Sequence, residues 1–285
     1  MGARFGPAGN SKSFSAFGYK TSLQVPEYIK KMGLDAFEYQ CGRGVNIGLE
    51  KAAELGRLAA EKDIVLSLHA PYYISMSGVD PEKRLKSVDY ILQSAAAVNA
   101  MGGNRIVVHT GSCGKISREE ALHLAIDTMK KAVAALDEAG LSNIHICPET
   151  MGKINQLGTL DEVMELCLVD ERLIPCIDFG HLNARTLGGL ATFEDFKNVF
   201  DTIENKLGID RLRSFHSHFS KIEYTDGGEK RHLTFEDNMF GPNFEPVIDL
   251  IIQKNCSPII ICESDGTQAE DAYTMKKAYE MGKKA

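Results

Sequence analysis

Long apolar stretches are missing from this sequence. A helix needs roughly 20 apolar residues to cross a membrane, and the longest strand-like run here is Pro258–Cys262. No apolar signal region follows the opening Met1–Arg4, so nothing in the sequence indicates export. We therefore expect a cytoplasmic protein without membrane partners.

Paired cysteines are also missing. The seven cysteines are scattered and odd in number, and no Cys-x-x-Cys pair occurs. Disulfide scaffolds and zinc ribbons need such pairs, so the pattern is typical of reduced thiols in a cytoplasmic protein.

Positive charge is in deficit. The chain has 39 acidic residues against 32 basic ones, which gives a formal net charge of −7. Taken alone, this deficit argues against a general nucleic-acid binder, because long-range attraction to phosphate is absent.

Short apolar runs alternate with amphipathic stretches along all 285 residues. The runs predicted as strands are Gly2–Phe5, Asp35–Tyr39, Ile64–Leu68, Arg105–Val108, Ile144–Cys147, Leu173–Ile177, Leu212–Phe215 and Pro258–Cys262. The helices predicted to follow them are Val25–Met32, Ile47–Lys62, Pro81–Ala100, Arg118–Glu138, Leu160–Leu168, Phe193–Leu207, Phe244–Gln253 and Gln268–Met281. Eight strand–helix pairs without a linker predict an α/β fold, a single (β/α)₈ TIM barrel over residues 1–285. An unusually long loop is predicted after the seventh strand.

Metal-ligating residue types end or follow six consecutive predicted strands. They are His69, His109, Glu149, Asp178, His216 and Glu263. Catalytic groups of such barrels lie at the C-terminal ends of the strands, so we expect these side chains to meet at one mouth. His181, His218 and His232 lie just beyond these ends, and only His123 and His145 lie elsewhere.

This joint pattern predicts a metal centre. One histidine or carboxylate at a strand end is usually a rim residue or a helix cap. Three carboxylates in one small mouth, however, repel each other and resist ionisation unless cations hold them. A set of imidazole and carboxylate ligands suits zinc, manganese or iron. There are more candidate ligands than one ion can bind. We expect two or three divalent ions, zinc above the others.

Several segments resemble endonuclease IV, a family of metal-dependent enzymes that cut DNA at abasic sites. They are Leu68–Tyr72, Val107–Ser112, Pro148–Lys153, Ile177–His181, the opening Gly2-Ala3 with Gly9, and Cys262-Glu263-Ser264. The resemblance covers nearly the whole chain in order. The motifs together indicate the xylose-isomerase-like TIM-barrel superfamily more strongly than they indicate any one activity within it.

The resemblance implies three metal sites. The first set would be His69, His109 and Glu149; the second Glu149, Asp178, His216 and Glu263; the third His181 and His232. Endonuclease IV also has an aspartate two residues before the last histidine, where this chain has Lys230. Glu229 substitutes for that aspartate if the loop carries a one-residue insertion. His218 lies outside the family pattern and Phe219 replaces its usual acid, which indicates a divergent member.

The resemblance also implies loops that probe DNA where a base is missing. Tyr72 matches a probing position, and Arg43 in the Gln40–Gly44 loop is a second candidate. Six bases fall in loops on the mouth side, namely Lys115, Lys153, Arg185, Lys221, Lys230 and Arg231. Together with bound cations, they predict a local phosphate-binding surface despite the negative net charge.

Two functions remain open. The first is a monomeric phosphodiesterase that hydrolyses the backbone of double-stranded DNA 5′ to abasic sites in base-excision repair, with Glu149 and Glu263 positioning and deprotonating the attacking water. The alternative is a divalent-metal-dependent sugar or sugar-phosphate isomerase or epimerase, which would need only the second ligand set. The pair His69 and His109 favours the nuclease, because a one-metal isomerase does not need them as ligands.

Overall fold

Eight parallel strands close into a barrel in the computed structural model, which describes residues 2–284. Residues 2–284 contain ten strands in all: β1 (Arg4–Pro7), β2 (Ala36–Gln40), β3 (Val65–His69), β4 (Arg105–Val108), β5 (His145–Pro148), β6 (Cys176–Asp178), β7 (His216–Phe219), β8 (Lys221–Thr225), β9 (Gly228–Leu233) and β10 (Ile259–Cys262). Strands β1 to β7 and β10 form the barrel, whereas β8 and β9 form a separate antiparallel hairpin. The expected (β/α)₈ barrel is confirmed.

Two four-stranded ladders make up the barrel wall, in the orders β1-β10-β7-β6 and β2-β3-β4-β5. Single bridges join them, from Ala8 to Glu38 and from Glu149 to Cys176. At the first seam, a Cβ atom on Gly6 would lie only 1.8 Å from the carbonyl oxygen of Ala36. Closure between β1 and β2 therefore depends on the missing side chain of Gly6.

Helices cover the outside of the barrel. They are α1 (Lys12–Ala16), α2 (Val25–Lys31), α3 (Leu49–Ala60), α4 (Pro81–Ala100), α5 (Arg118–Glu138), α6 (Leu160–Cys167), α7 (Phe179–Arg185), α8 (Phe193–Leu207), α9 (Ile209–Arg213), α10 (Glu245–Gln253) and α11 (Gln268–Gly282), with a 3₁₀ turn at Ser22–Gln24. Local sequence sets several starts: the side chains of Asp80, Ser117 and Thr159 accept hydrogen bonds from the first turns of α4, α5 and α6. Within residues 2–284, no helix combines the length and apolarity needed to span a membrane.

Helix bounds follow the sequence closely, but some strand bounds do not. The predicted bounds of α4, α5 and α8 agree with the structure. The first strand lies two residues later than predicted, and the sixth is confined to Cys176–Asp178. The predicted seventh strand, Leu212–Phe215, is wrong: Ile209–Arg213 forms α9 and β7 begins at His216. A short apolar run has no periodicity that separates a strand from a helical turn.

Replacing Gly6 by Ala should destabilise the protein by about 3 kcal/mol, because the added methyl group overlaps the backbone of β2. Gly48 is the matched control, since an added Cβ there meets no atom within 4 Å. Urea unfolding of G6A, G48A and the parent protein measures both effects. Equal midpoints for G6A and G48A would contradict the role assigned to Gly6.

Candidate metal centre

The first group of candidate ligands lies at the ends of three adjacent strands. His69 ends β3, His109 follows β4 and Glu149 follows β5. The Nε2 atoms of both histidines lie 3.4 Å from Glu149 Oε2. One ligand atom from each residue lies within 4.8 Å of the other two. This spacing suits three ligands of a single cation.

A second group shares Glu149 with the first. It consists of Glu149, Asp178, His218 and Glu263, again with ligand atoms within 4.8 Å of one another. His218 Nδ1 lies 3.0 Å from Glu149 Oε1 and 3.6 Å from Glu263 Oε1. Because Oε2 of Glu149 faces the first group and Oε1 faces the second, this carboxylate is placed to bridge two ions.

The structure does not bring His216 into this second group. Since β7 begins at His216, His218 lies two residues nearer the mouth on the same face of the strand. His216 lies deeper, with Nε2 2.9 Å from Glu38 Oε2. The assignment of His216 to the second group is therefore corrected to His218, which the family pattern had excluded.

A third group joins helix α7 to the β8–β9 hairpin. It consists of His181, Glu229 and His232. His181 Nε2 lies 3.4 Å from Glu229 Oε2, and His232 Nε2 lies 4.0 Å from Glu229 Oε1. Asp178 fixes the start of α7 by accepting a 2.7 Å hydrogen bond from the backbone N–H of His181. Asp178 of the second group thus orients His181 of the third.

A β-bulge puts Glu229 on the same face as His232. Glu223 pairs with Arg231 and Tyr224 pairs with Glu229, so Lys230 is an extra residue between two ladder positions. Without it, residues three apart on a strand would point to opposite faces. The bulge supplies the one-residue insertion on which the expected ligand role of Glu229 depends.

Two glycines let the hairpin dock beside the loop after β5. The backbone N–H of Glu229 donates to the carbonyl of Gly152 at 3.1 Å, and that of Ile154 donates to Gly227 at 3.1 Å. A Cβ on Gly152 would lie 2.6 Å from Glu229 Cβ and 2.9 Å from His181 Cδ2. Gly228 has φ +87°, and a Cβ there would lie 2.3 Å from the Gly152 carbonyl. The third group therefore exists only in the docked hairpin.

The unsatisfied polar atoms of this mouth fit cations. Glu149 Oε2 and Asp178 Oδ2 are buried and accept no hydrogen bond from any of residues 2–284. Burial opposes ionisation of Glu149, but the surrounding histidines, His218 first, hold its pKa well below the usual range. In return, although burial lowers the pKa of His69, Glu149 raises it to about 9. Burial instead lowers the pKa of His109 to about 4.

Sequence reasoning missed the fully buried Glu38 on β2. Its carboxylate accepts hydrogen bonds from Ser67 Oγ at 2.9 Å and from Gln40 Nε2 at 3.2 Å. The one available signal was an acidic residue in the middle of a mainly apolar strand, where burial of an isolated charge is costly.

The first and third groups, with Glu263 of the second, line a cleft with a cavity of about 260 Å³. Tyr72, half exposed, lines it beside Gln40 and Lys153. The backbone N–H of Tyr72 donates to the Gly42 carbonyl at 3.3 Å, which ties Tyr72 to the turn that carries the exposed Arg43. The two predicted probing residues thus lie on connected loops at the cleft.

The predicted basic surface is smaller than expected. Arg185 donates to the carbonyls of Met151, Ile154 and Gln156, and Lys221 donates to those of Phe235 and Asp237. Lys230 and Arg231 both pair with Glu223. Lys115 and Lys153 are exposed, and of the six bases Lys153 lines the cleft.

Comparison with known proteins identifies relatives along most of the chain. The sequence profile of the family described as "Xylose isomerase-like TIM barrel" matches residues 26–284. An uncharacterized protein of Methanocaldococcus jannaschii, MJ0133, is 32% identical over 257 residues, which cover 90% of this chain and 91% of that protein. A probable endonuclease 4 of Mycoplasma pneumoniae is 29% identical over 202 residues, covering 68% of this chain and 65% of that protein.

Solved structures share the fold at lower identity. Endonuclease IV from Thermus thermophilus matches with a TM-score of 0.66 and 19% identity over 98% of both chains. A D-tagatose 3-epimerase-like protein matches with a TM-score of 0.67 and 19% identity, covering 90% of this chain and 92% of that one. These similarities show the barrel alone. With the sequence relatives, they confirm the resemblance that the motifs indicated.

Replacing Gly152 by Ala should remove the third group while leaving the other two, because the new Cβ displaces Glu229 and His181. Metal analysis after Zn²⁺ loading should show one ion fewer per chain than the parent. Gly227 in the same hairpin is the control, since an added Cβ meets only Thr225 Oγ1, at 3.8 Å. Equal metal contents in G152A and G227A would refute the docking role.

Zn²⁺ affinity should fall at least tenfold for each pH unit between about 9 and 6. Below its pKa of about 9, His69 holds a proton that the ion must displace. His181 and His218 add to this trend: burial opposes protonation, but nearby acidic groups, Asp178 for His181 and Cys176 followed by Glu263 for His218, raise both pKa values. Competition with a chromophoric chelator across this range measures the slope. A flat profile would contradict this account of the histidine protons.

Proposed function

Because this chain belongs to the xylose isomerase-like TIM barrel family, we propose that it is a metal-dependent phosphodiesterase that hydrolyses DNA 5′ to abasic sites. The observation that carries the proposal is the set of three ligand groups at the mouth, in which Glu149 is common to two; a fourth possible group, Cys176, His216 and His218, lies deeper in the barrel. A sugar isomerase needs one such group, whereas a phosphodiester calls for cations at both the attacking and the leaving oxygen. The similarity to a probable endonuclease 4 supports the same interpretation.

Two or three divalent ions, zinc above others, are the proposed cofactors. When bound, such ions supply Lewis-acid stabilisation of a phosphate and lower the pKa of a coordinated water. His69, His109 and Glu149 would hold one ion, and Glu149, Asp178, His218 and Glu263 a second. His181, Glu229 and His232 would hold a third. The imidazole-rich first and third groups suit zinc better than magnesium or calcium.

Glu263 is the proposed proton acceptor for the attacking water. Burial raises the pKa of its carboxyl, against the opposing charges of His218 and His232. A carboxyl whose pKa is moved toward neutrality exchanges protons more effectively near physiological pH. Glu149, which is held ionised by its histidines, instead orients the two ligand groups.

DNA recognition is assigned to the loops around the cleft. Tyr72 and its neighbour Tyr73 are both about half exposed, with ring centroids 5.4 Å apart, and exposed aromatic rings stack on bases or fill the gap where one is missing. Lys153 and Arg43 are the proposed phosphate contacts. We further propose that the protein acts as a monomer in the cytoplasm.

One observation favours a second candidate function, sugar epimerisation. The second ligand group alone, with three carboxylates and one histidine, is a complete site for one divalent ion. A cavity of about 260 Å³ also has room for a monosaccharide. The first and third groups would then have no role, which is why we rank this candidate below the nuclease.

Zn²⁺-loaded protein should cleave a duplex with one central abasic site and leave an intact duplex uncut. E263Q should lower the rate constant at least about 100-fold, because it removes the proton acceptor and a ligand. D265N is the control: Asp265 is exposed two residues further along the chain. Gel separation of labelled strands gives the rates. No cleavage by loaded protein, together with interconversion of ketohexose epimers, would replace the nuclease by the epimerase.

A further inference from the structure

A buried carboxylate lies directly beneath the second ligand group. Glu38 is fully enclosed, as are His216 and His218 above it. Glu38 Oε2 accepts a hydrogen bond from Ser67 Oγ and faces His216 Nε2, both at 2.9 Å. Glu38 Oε1 lies 2.9 Å from His218 Nε2. One carboxylate therefore contacts both histidines of β7.

The two nitrogens of His218 face different environments. Nε2 points down to Glu38, whereas Nδ1 points up to Glu149 at 3.0 Å and Glu263 at 3.6 Å. An imidazole nitrogen binds a cation through its lone pair, so the proton of the neutral ring must be on the other nitrogen. The ring has hydrogen-bond geometry at Nδ1, toward Glu149, but not at Nε2. With cations neutralising Glu149 and Glu263, Glu38 would be the remaining anion beside the ring and would favour the proton on Nε2, which leaves the Nδ1 lone pair for the ion.

The cost of burying Glu38 indicates a specific use. An enclosed carboxylate without partners is strongly unfavourable, and a well-packed apolar side chain is often as stable as a buried ion pair. Stability alone therefore does not account for an acid at this barrel position. Its two oxygens are divided between the two histidines: Oε2 forms a hydrogen bond with His216 Nε2, and Oε1 places a negative charge 2.9 Å from His218 Nε2.

We propose that Glu38 is a positioning residue that holds His218 with its proton on Nε2, so that Nδ1 binds the ion of the second group. The inference rests on the proposed metal centre but not on the substrate. Outer carboxylates of this kind commonly change metal affinity by about 10- to 100-fold. Glu38 itself touches neither metal nor substrate in this arrangement.

E38Q tests the proposal, because the amide keeps the side-chain volume but cannot serve as an anionic acceptor for both histidines. Titration with Zn²⁺ against a chromophoric chelator should show one ion bound about 10- to 100-fold more weakly, with the others unchanged. S67A is the matched control, since it removes a hydrogen bond to the opposite oxygen of the same carboxylate. S67A should bind all ions within threefold of the parent.

A second variant separates positioning from a purely structural role. In an H218Q background, E38Q should change Zn²⁺ affinity by less than threefold, because the residue through which Glu38 acts is gone. Far-UV circular dichroism and urea unfolding of the metal-free proteins check the fold. If E38Q does not fold, E38D gives the same test, because it keeps the charge and withdraws it from His218.

The proposal is overturned if E38Q binds every ion as the parent does, or if all ions weaken equally. It is also overturned if E38Q weakens binding as much in the H218Q background as alone. These outcomes are independent of DNA cleavage. A parent protein that binds its ions but leaves abasic DNA intact contradicts the nuclease and leaves the role of Glu38 standing.

Discussion

Repulsion between buried carboxylates is the constraint on which this barrel mouth depends. Glu149, Asp178 and Glu263 lie within ligand distance of one another, and Glu38 lies beneath them. Without compensation these charges would drive protonation or open the mouth. Histidines from strands β3 and β7, the β4 loop and α7 provide part of that compensation, and bound cations would complete it. The same groups that make the site costly to bury thus make it selective for positive ions.

Local backbone geometry determines how many ligand groups the mouth can form. Strand ends bring the first two groups together, as in any closed parallel barrel. The third needs more: a hairpin after β7, a bulge at Lys230 and two glycines at its contact with the loop after β5. Each is a small backbone feature, yet together they place Glu229 and His232 beside His181. A barrel without this hairpin would keep only the first two ligand groups.

The sequence predicted the barrel and most helix bounds, because eightfold alternation is a strong pattern. Rare histidines at strand ends also pointed to nearly all the side chains that the structure brings together as candidate ligands. The prediction was wrong where a shift of two residues along β7 decides which histidine reaches the mouth. The run Leu212–Phe215 was interpreted as the strand, which put His216 at the mouth and left His218 unused; the structure reverses them. Glu38 was missed because a contact between β2 and β7 is remote in sequence. The partners of Arg185 and Lys221 are loop carbonyls, which no side-chain pattern reveals.

The charge of the mouth links metal binding to substrate choice. The net charge is −7, and four of the six bases expected to face phosphate are held by carbonyls or by Glu223. A cleft lined by carboxylates repels a DNA backbone when it holds no cations. In the proposed nuclease, bound ions would therefore attract the phosphate as well as activate its cleavage, and Lys153 would add little to them. A neutral sugar needs no such attraction, so a mouth that took its positive charge from cations rather than from lysine and arginine would favour an anionic substrate.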